Sequence, residues 1–443
     1  MSKQMCKGRK NVLTTEKKLH LQPILTNISH SFKNLNIMAY QEVKRTSYGK
    51  NIGNSAKGIL TGILMVILGT IFIFWNENRA IKQYNAIDRA EKSCVEMPDV
   101  ANINSEFEGK MVHCNGIATT NEVLNDNNFG VSVNAISLKR NVEYYQWVER
   151  SKTEKKEKVG GATEEITTYY YEKKWVSDPV GNDFKDPEYV GKNFVFKEVP
   201  EMDWYADPVK IGAYNLPDFF VNSIGGRENI EVSMDSATIA EWNRAIKTNL
   251  GVSEAIDANY VYTEGNTVYF GTSMSDPSIG DVRVTFTYIP NNQEVSLLGK
   301  VSGNTFEKYV DKNGNTVSLL MAGNVSAEKM FESLRDGNKT LTWIIRLFLL
   351  IVIIAGFRAM ISIVPTLLKV LPFLGKGVGA ILKFACTILG IVWTFLFIGI
   401  AWITVRPALS ITLLVVIIAL IVWLSIRSKK APIPQETAET TNI

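Results

Sequence analysis

Histidine is nearly missing from this chain of 443 residues, which has only His20, His30 and His113. The four cysteines, Cys6, Cys94, Cys114 and Cys386, form no Cys/His cluster with the spacing of a metal site. The glycine motifs that cradle phosphates are absent, and so is the G-x-S-x-G nucleophile elbow. Carboxylates are plentiful, but no spacing selects two of them for acid–base work. No catalytic, cofactor-binding or metal-binding residue is therefore assigned, and the chain is not expected to be an enzyme. His113 alternates with apolar neighbours and is read as structural. The stretches "DNNFG" (126–130) and "SMSDPSIGDVR" (273–283) are read as turns, because Asp, Asn, Ser and Gly serve local backbone bonding there. Asp281 and Arg283 alternate along a strand and are expected to form a structural ion pair.

Acidic residues are also missing from the long apolar runs, where the sequence is most informative. "GILTGILMVILGTIFIFW", 58–75, is an uncharged run of 18 residues. At a rise of about 1.5 Å per residue it covers about 27 Å, enough to cross a bilayer core. Residues 340–364, 378–404 and 408–426 read as three more spans. "VRP" (405–407) would turn the last two into a hairpin, and Pro365 and Pro372 interrupt a 365–377 connection. With no acid in any span, no proton relay is expected. Arg346 and Arg358, in the second span, and Lys383, in the third, lie near span ends and are expected to snorkel to the interface.

Positive charge sets the orientation. Residues 1–57 carry 11 Lys/Arg against 2 Asp/Glu. That basic tail, the 365–377 connection and the 427–443 tail are placed on the cytoplasmic side. Residues 80–340 carry 27 basic and 39 acidic residues and give no support to nucleic-acid binding. The lipid bilayer is the partner the composition demands.

The 76–339 block reads as β-rich. "NVEYYQWVE" (141–149) and "ITTYYYEKKWVS" (166–177) are dense in strand-forming residues, and the charged "KTEKKEKVGGATEE" between them reads as a mobile hairpin tip. Further strands are expected near 266–270, 282–289, 295–301, 305–310 and 316–320, with helices at 236–249 and 326–335. Cross-strand packing explains the aromatic cluster most simply. The functional alternative makes Tyr144, Tyr145, Trp147, Tyr169, Tyr171 and Trp175 an exposed contact surface. Cys94 and Cys114 share this block, where a disulfide would be tolerated. Asn324 and Asn338 head glycosylation sequons, the latter close to the membrane. At the exit of the first span, Trp75, Asn76, Glu77 and Arg79 form a polar joint. Glu77 and Arg79, two apart on a helix, are not expected to pair.

Several of these segments carry a family likeness. "WNENRAIK" (75–82), "FEGKMVH" (107–113), "DNNFGVSVNAISLKRNVEYYQWVE" (126–149), "GDVRVTFTY" (280–288) and "AWITVRP" (401–407) resemble, in order and spacing, the transmembrane protein 43 (LUMA) family. Asn78 stands where the family has glycine, Cys114 is not a family feature, and residues 1–37 fall outside the likeness. The resemblance implies a four-span α-helical membrane protein with a large β-rich α+β non-cytoplasmic domain and no established catalytic site. It also implies a homo-oligomer that organises other membrane or envelope proteins. Its location would be the endoplasmic reticulum and inner nuclear membrane in a eukaryote, and the inner membrane in a bacterium. The expected function is a non-enzymatic membrane scaffold. The alternative is an envelope sensor or transport accessory whose outer domain binds a ligand.

Overall fold

The computed structural model describes residues 40–403, except 254–255 and 369–371, with scattered positions between 411 and 426. Among the described residues, three helices are long and apolar enough to cross a membrane. They are α1 (Tyr48–Ser93), α3 (Ala327–Ile361) and α4 (Pro372–Trp402), separated in sequence by the outer domain, which carries α2 (Ser236–Leu250). The expected fourth span, 408–426, lies mostly outside the described residues, as do residues 1–37.

Helix α1 starts at Ser47, whose hydroxyl accepts from the Lys50 amide, and runs for 46 residues. That is about 69 Å, more than twice a bilayer core. Its outer turns belong to the domain: Ala86, Ile87 and Ala90 are buried with Met330 and Phe331 of α3 and with Met111 and Leu298 of the sheet above. Helix α3 is similarly continuous. The separate helix expected at 326–335 and the span expected from 340 are one element: the stop signal of Asp336, Gly337 and Asn338 between them is overridden, and Asn338 instead bonds α1 through both atoms of its amide. Pro372 opens α4, where its missing N–H costs nothing.

Glycines let the spans touch. A Cβ at Gly62 would lie 2.5 Å from the Gly356 carbonyl oxygen, and one at Gly390 would lie 2.5 Å from Ile354 Cγ1. Such seams replace the hydrophobic driving force that lipid removes. The opposite sides of the helices stay apolar and exposed, at Leu60, Leu64, Leu347, Phe348, Ile381 and Phe384.

The outer domain packs two sheets on one apolar core. The first sheet contains β1 (Tyr40–Thr46), β3 (Val131–Glu157), β4 (Thr163–Val176), β5 (Thr267–Phe270) and β6 (Val282–Pro290), in the order β1–β4–β3–β6–β5. The second centres on β2 (Met111–Thr119) paired antiparallel with β7 (Gln293–Ser302). Residues 282, 284 and 286 of β6 alternate inward, as an antiparallel strand with one buried face requires. Cys94 and Cys114 are both free thiols, and burial pushes each up to about 12.

The hairpin β3–β4 departs most from expectation. Its charged stretch is strand, paired in register from Tyr144↔Val176 to Glu157↔Thr163. The turn shrinks to 158–162, closed by Lys158 N–H donating to the Ala162 carbonyl at 2.9 Å. Gly161 (φ +80) is required there, since a Cβ would lie 2.3 Å from the Tyr48 ring. Residues 40–46, expected within the basic tail, are strand β1, laid antiparallel on β4 from Tyr40↔Tyr169 to Thr46↔Thr163. Strand pairing overrode the local polar composition that had suggested a mobile tip, and it drew seven residues of the basic tail into the sheet.

The joint between the spans and the outer domain

The exit motif of α1 sits opposite the outer turns of α3. Its run of polar residues follows directly on the apolar run, so the helix carries them to the membrane boundary without a break. Glu77 is 2% exposed. It accepts two parallel bonds from Arg346, Nε at 2.8 Å and Nη2 at 2.6 Å, and a third from the Trp402 indole at 2.6 Å. The Arg346 guanidinium lies 4.8 Å from the Trp343 ring centre and 5.1 Å from that of Trp402. A bidentate Arg–carboxylate pair between aromatic rings satisfies both charges away from water. One residue from each of α1, α3 and α4 is therefore fixed at a single point.

A second layer lies one turn outward. Arg79 donates to Asn338 Oδ1 at 3.3 Å and to Thr342 Oγ1 at 3.0 Å, and Asn338 Nδ2 donates to the Ala80 carbonyl at 2.8 Å. Buried Asn76 donates to the Thr342 carbonyl at 3.3 Å. Glu77 and Arg79 thus turn to different partners, as their spacing predicts. Trp75 stays out of the network, 53% exposed beside Phe72, where an interfacial ring belongs. Asn338, on α3, has both amide atoms committed to α1, so its sequon is part of the joint. Farther out, Arg335 pairs with Glu91 at 2.6 Å, and Arg89 pairs with Asp311.

Arg346 corrects the expectation of a snorkelling anchor. It is buried and paired with Glu77, which lies just beyond the first apolar run and so was not counted among intramembrane acids. Arg358 does remain exposed, with one bond to Thr387 Oγ1 at 2.8 Å. Sequence reasoning missed Thr342, Trp343 and Trp402. An available signal was that Glu77 and Arg346 fall at matching depths on antiparallel helices.

The aromatic cluster is not an exposed surface. Tyr144, Tyr169 and Tyr171 are buried, and Tyr144 donates to the Val199 carbonyl at 2.6 Å. Tyr145 packs on Trp175 and Trp147 on Tyr189, while Tyr171 stacks on Tyr189 at 3.9 Å. The 180–196 segment covers the face expected to be open. Ring packing against a covering loop removes more apolar area from water than a solvated strand face would.

Groups weighed for chemistry are each taken up locally. Asp126 pairs with Arg140 at 2.6 Å, with both buried. His113 contacts Glu96 at 2.6 Å through Nδ1 and the Val325 carbonyl at 2.9 Å through Nε2. Asp281 accepts from Tyr269 at 2.5 Å and from the Ser278 amide at 2.8 Å, and burial raises its pKa. Arg283 does not pair with Asp281. It reaches Glu143, its partner across the β3–β6 ladder, at 2.6 Å and covers the ring of Trp175 on β4, one strand farther. Among the described residues no group of three His, Cys, Asp or Glu is arranged to hold a metal. Beside the joint lies a cavity of about 500 Å³, lined by Tyr84, Asp336, Lys339, Trp343, Arg346 and Trp402 among others. Both Glu77 oxygens are engaged by Arg346 and Trp402, so that carboxylate meets the cavity already paired.

Comparison with known proteins matches residues 144–407 to the sequence model of the family described as Transmembrane protein 43. Transmembrane protein 43 of Rattus norvegicus is 26% identical over 368 residues, covering 81% of this chain and 87% of the relative. The Homo sapiens protein of that name is 25% identical over the same shares. The Drosophila melanogaster homolog is 25% identical over 287 residues, 64% of this chain and 71% of its own. No solved structure matches.

Proposed function

The chain belongs to the Transmembrane protein 43 family, and from that premise we propose that it is a non-enzymatic membrane scaffold that self-associates and holds envelope partners through its outer domain. The carrying observation is the joint. Glu77, Arg346 and Trp402 tie three helices at the point where two of them continue into the domain. A scaffold needs such coupling, so that force or position on one side of the membrane is kept on the other. The commitment of Asp126, His113 and Asp281 to separate local partners favours binding over turnover. The reading places both termini on the cytoplasmic face, with residence in the endoplasmic reticulum or inner nuclear membrane of a eukaryote, or the inner membrane of a bacterium.

Crosslinking in native membranes, followed by identification of attached proteins, tests it. Recovery of copies of the chain together with other membrane proteins is expected, and recovery of nothing would sink the reading. The cavity beside Arg346 favours a second reading, a sensor whose ligand enters the joint and shifts the spans. It requires a small molecule that changes the thermal stability of the intact chain but not of a Trp343→Ala variant.

A further inference from the structure

The hairpin β3–β4 and the spans share both ends. At one end the hairpin is rooted in the outer domain through β6. At the other its turn meets the first turn of α1: Asn51 Nδ2 donates to the Gly161 carbonyl at 3.0 Å and to Thr163 Oγ1 at 2.9 Å. Tyr48 there donates to the Leu367 carbonyl at 3.1 Å, and Ser55 bonds Thr366 at 2.8 Å. Those contacts lie beyond the inner end of the 58–75 run. From Tyr144 to Glu157 the strand extends about 43 Å, and the apolar run it bypasses is about 27 Å long. The β3–β4 hairpin therefore passes the full depth of the membrane, and β1 adds a third strand along its distal part, about 20 Å, to make a ribbon β1–β4–β3.

That ribbon does not suit lipid. Its distal strand places Lys152, Glu154 and Lys156 on one face and Ser151, Thr153 and Lys155 on the other. Both outer edges are open: β1 ends the sheet, and β3 beyond Glu149 pairs only with β4 among the described residues. Backbone at membrane depth survives only when it is hydrogen-bonded, buried in protein or facing water. The helices, in contrast, keep an apolar side exposed for lipid. The two open edges run parallel, since both strands are antiparallel to β4. Copies related by an axis along the membrane normal present β1 of one to β3 of the next in matching direction, the head-to-tail contact that closes rings.

We propose that the open edges of this ribbon are the self-association surface. The β1 strand of one copy pairs with the distal half of β3 in the next, in a ring with ribbons inside around water and helices outside against lipid. The inference rests on the self-association in the proposed function and names its site. Val43 in β1 is 52% exposed. It shares a face with Arg150, Lys152 and Glu154 through β4. Within one chain β1 and β3 are two strand spacings apart, roughly 9–10 Å, too far for a disulfide, which needs a Cα separation of about 4.4–6.8 Å.

The experiment carries Val43→Cys with Arg150→Cys, Lys152→Cys or Glu154→Cys in the same full chain, oxidised in native membranes. At least one combination is expected to give a reducible ladder above dimer that stops at a fixed rung, while single substitutions and the unsubstituted chain stop at dimer or below. Absence of the ladder in all three combinations overturns the proposal. An amine-reactive crosslinker on the unsubstituted chain separates the two failures. Captured copies without a disulfide ladder would leave self-association standing and remove the ribbon, and capture of no copies would remove both.

Discussion

Arg346 and Arg358 lie on one helix, twelve residues apart, and their surroundings are opposite. Arg346, at the outer end, is buried, bidentate to Glu77 and set between two indoles. Arg358, at the inner end, is exposed with a single hydroxyl partner. The outer end of the bundle must join a folded domain, so charge there is sequestered and made specific. At the inner end water and headgroups are within reach of a long side chain, and nothing has to be specified. A charge in a span is thus not one kind of feature.

The strongest way to break this contrast is Glu77→Ala, which leaves Arg346 buried without a counter-ion. Loss of about 3–5 kcal/mol is expected, read as a lower unfolding temperature of the detergent-solubilised chain. The double variant Glu77→Met with Arg346→Met should recover most of that loss, because replacing both partners removes the unpaired charge. Gly356→Leu tests whether the seam between the spans matters as much as the charges. It forces a side chain against the Gly62 carbonyl, and an overpacking cost of about 1–3 kcal/mol is expected in the same assay.

A smaller effect is expected from acid at the Arg89–Asp311 brace near the outer end of α1. Burial acts to raise the Asp311 pKa, but backbone N–H bonds from Asn315 and Asn313, the Asn315 amide and Arg89 outweigh it and hold the carboxyl at about 2. An unfolded aspartate titrates near about 3.9. The stabilisation is therefore fully present above about pH 4 and is lost as pH falls towards 2. Unfolding temperature should drop over that window, and Asp311→Asn should flatten that part of the profile. The smallest effect belongs to Arg358→Ala, within about 0.5 kcal/mol. A loss comparable to that of Glu77→Ala would erase the distinction between the two ends.

Much of the architecture was legible because its signals are local. Long apolar runs identify the three described spans by length, and alternation finds β6 and β7 nearly to the residue. The aromatic hairpin was legible as strands but misread as an open surface. Nothing in "YYQWVE" reveals that residues 180–196 fold back to cover it. The joint was half legible: Trp75, Asn76, Glu77 and Arg79 stood out as a polar motif, but the partners of Asn76, Glu77 and Arg79 on α3 lie more than 250 residues away.

By itself the sequence determined where the chain meets lipid, where it alternates as strand, and which family it belongs to. These follow from side-chain transfer energies and backbone periods that act over a few neighbouring residues. Only the tertiary structure decided that Arg346 is an ion-pair partner, that β1 belongs to the outer sheet, and that the hairpin reaches the far end of the spans. Each depends on which distant groups meet, and a buried charge or an open strand edge has no definite cost until its partner is in place.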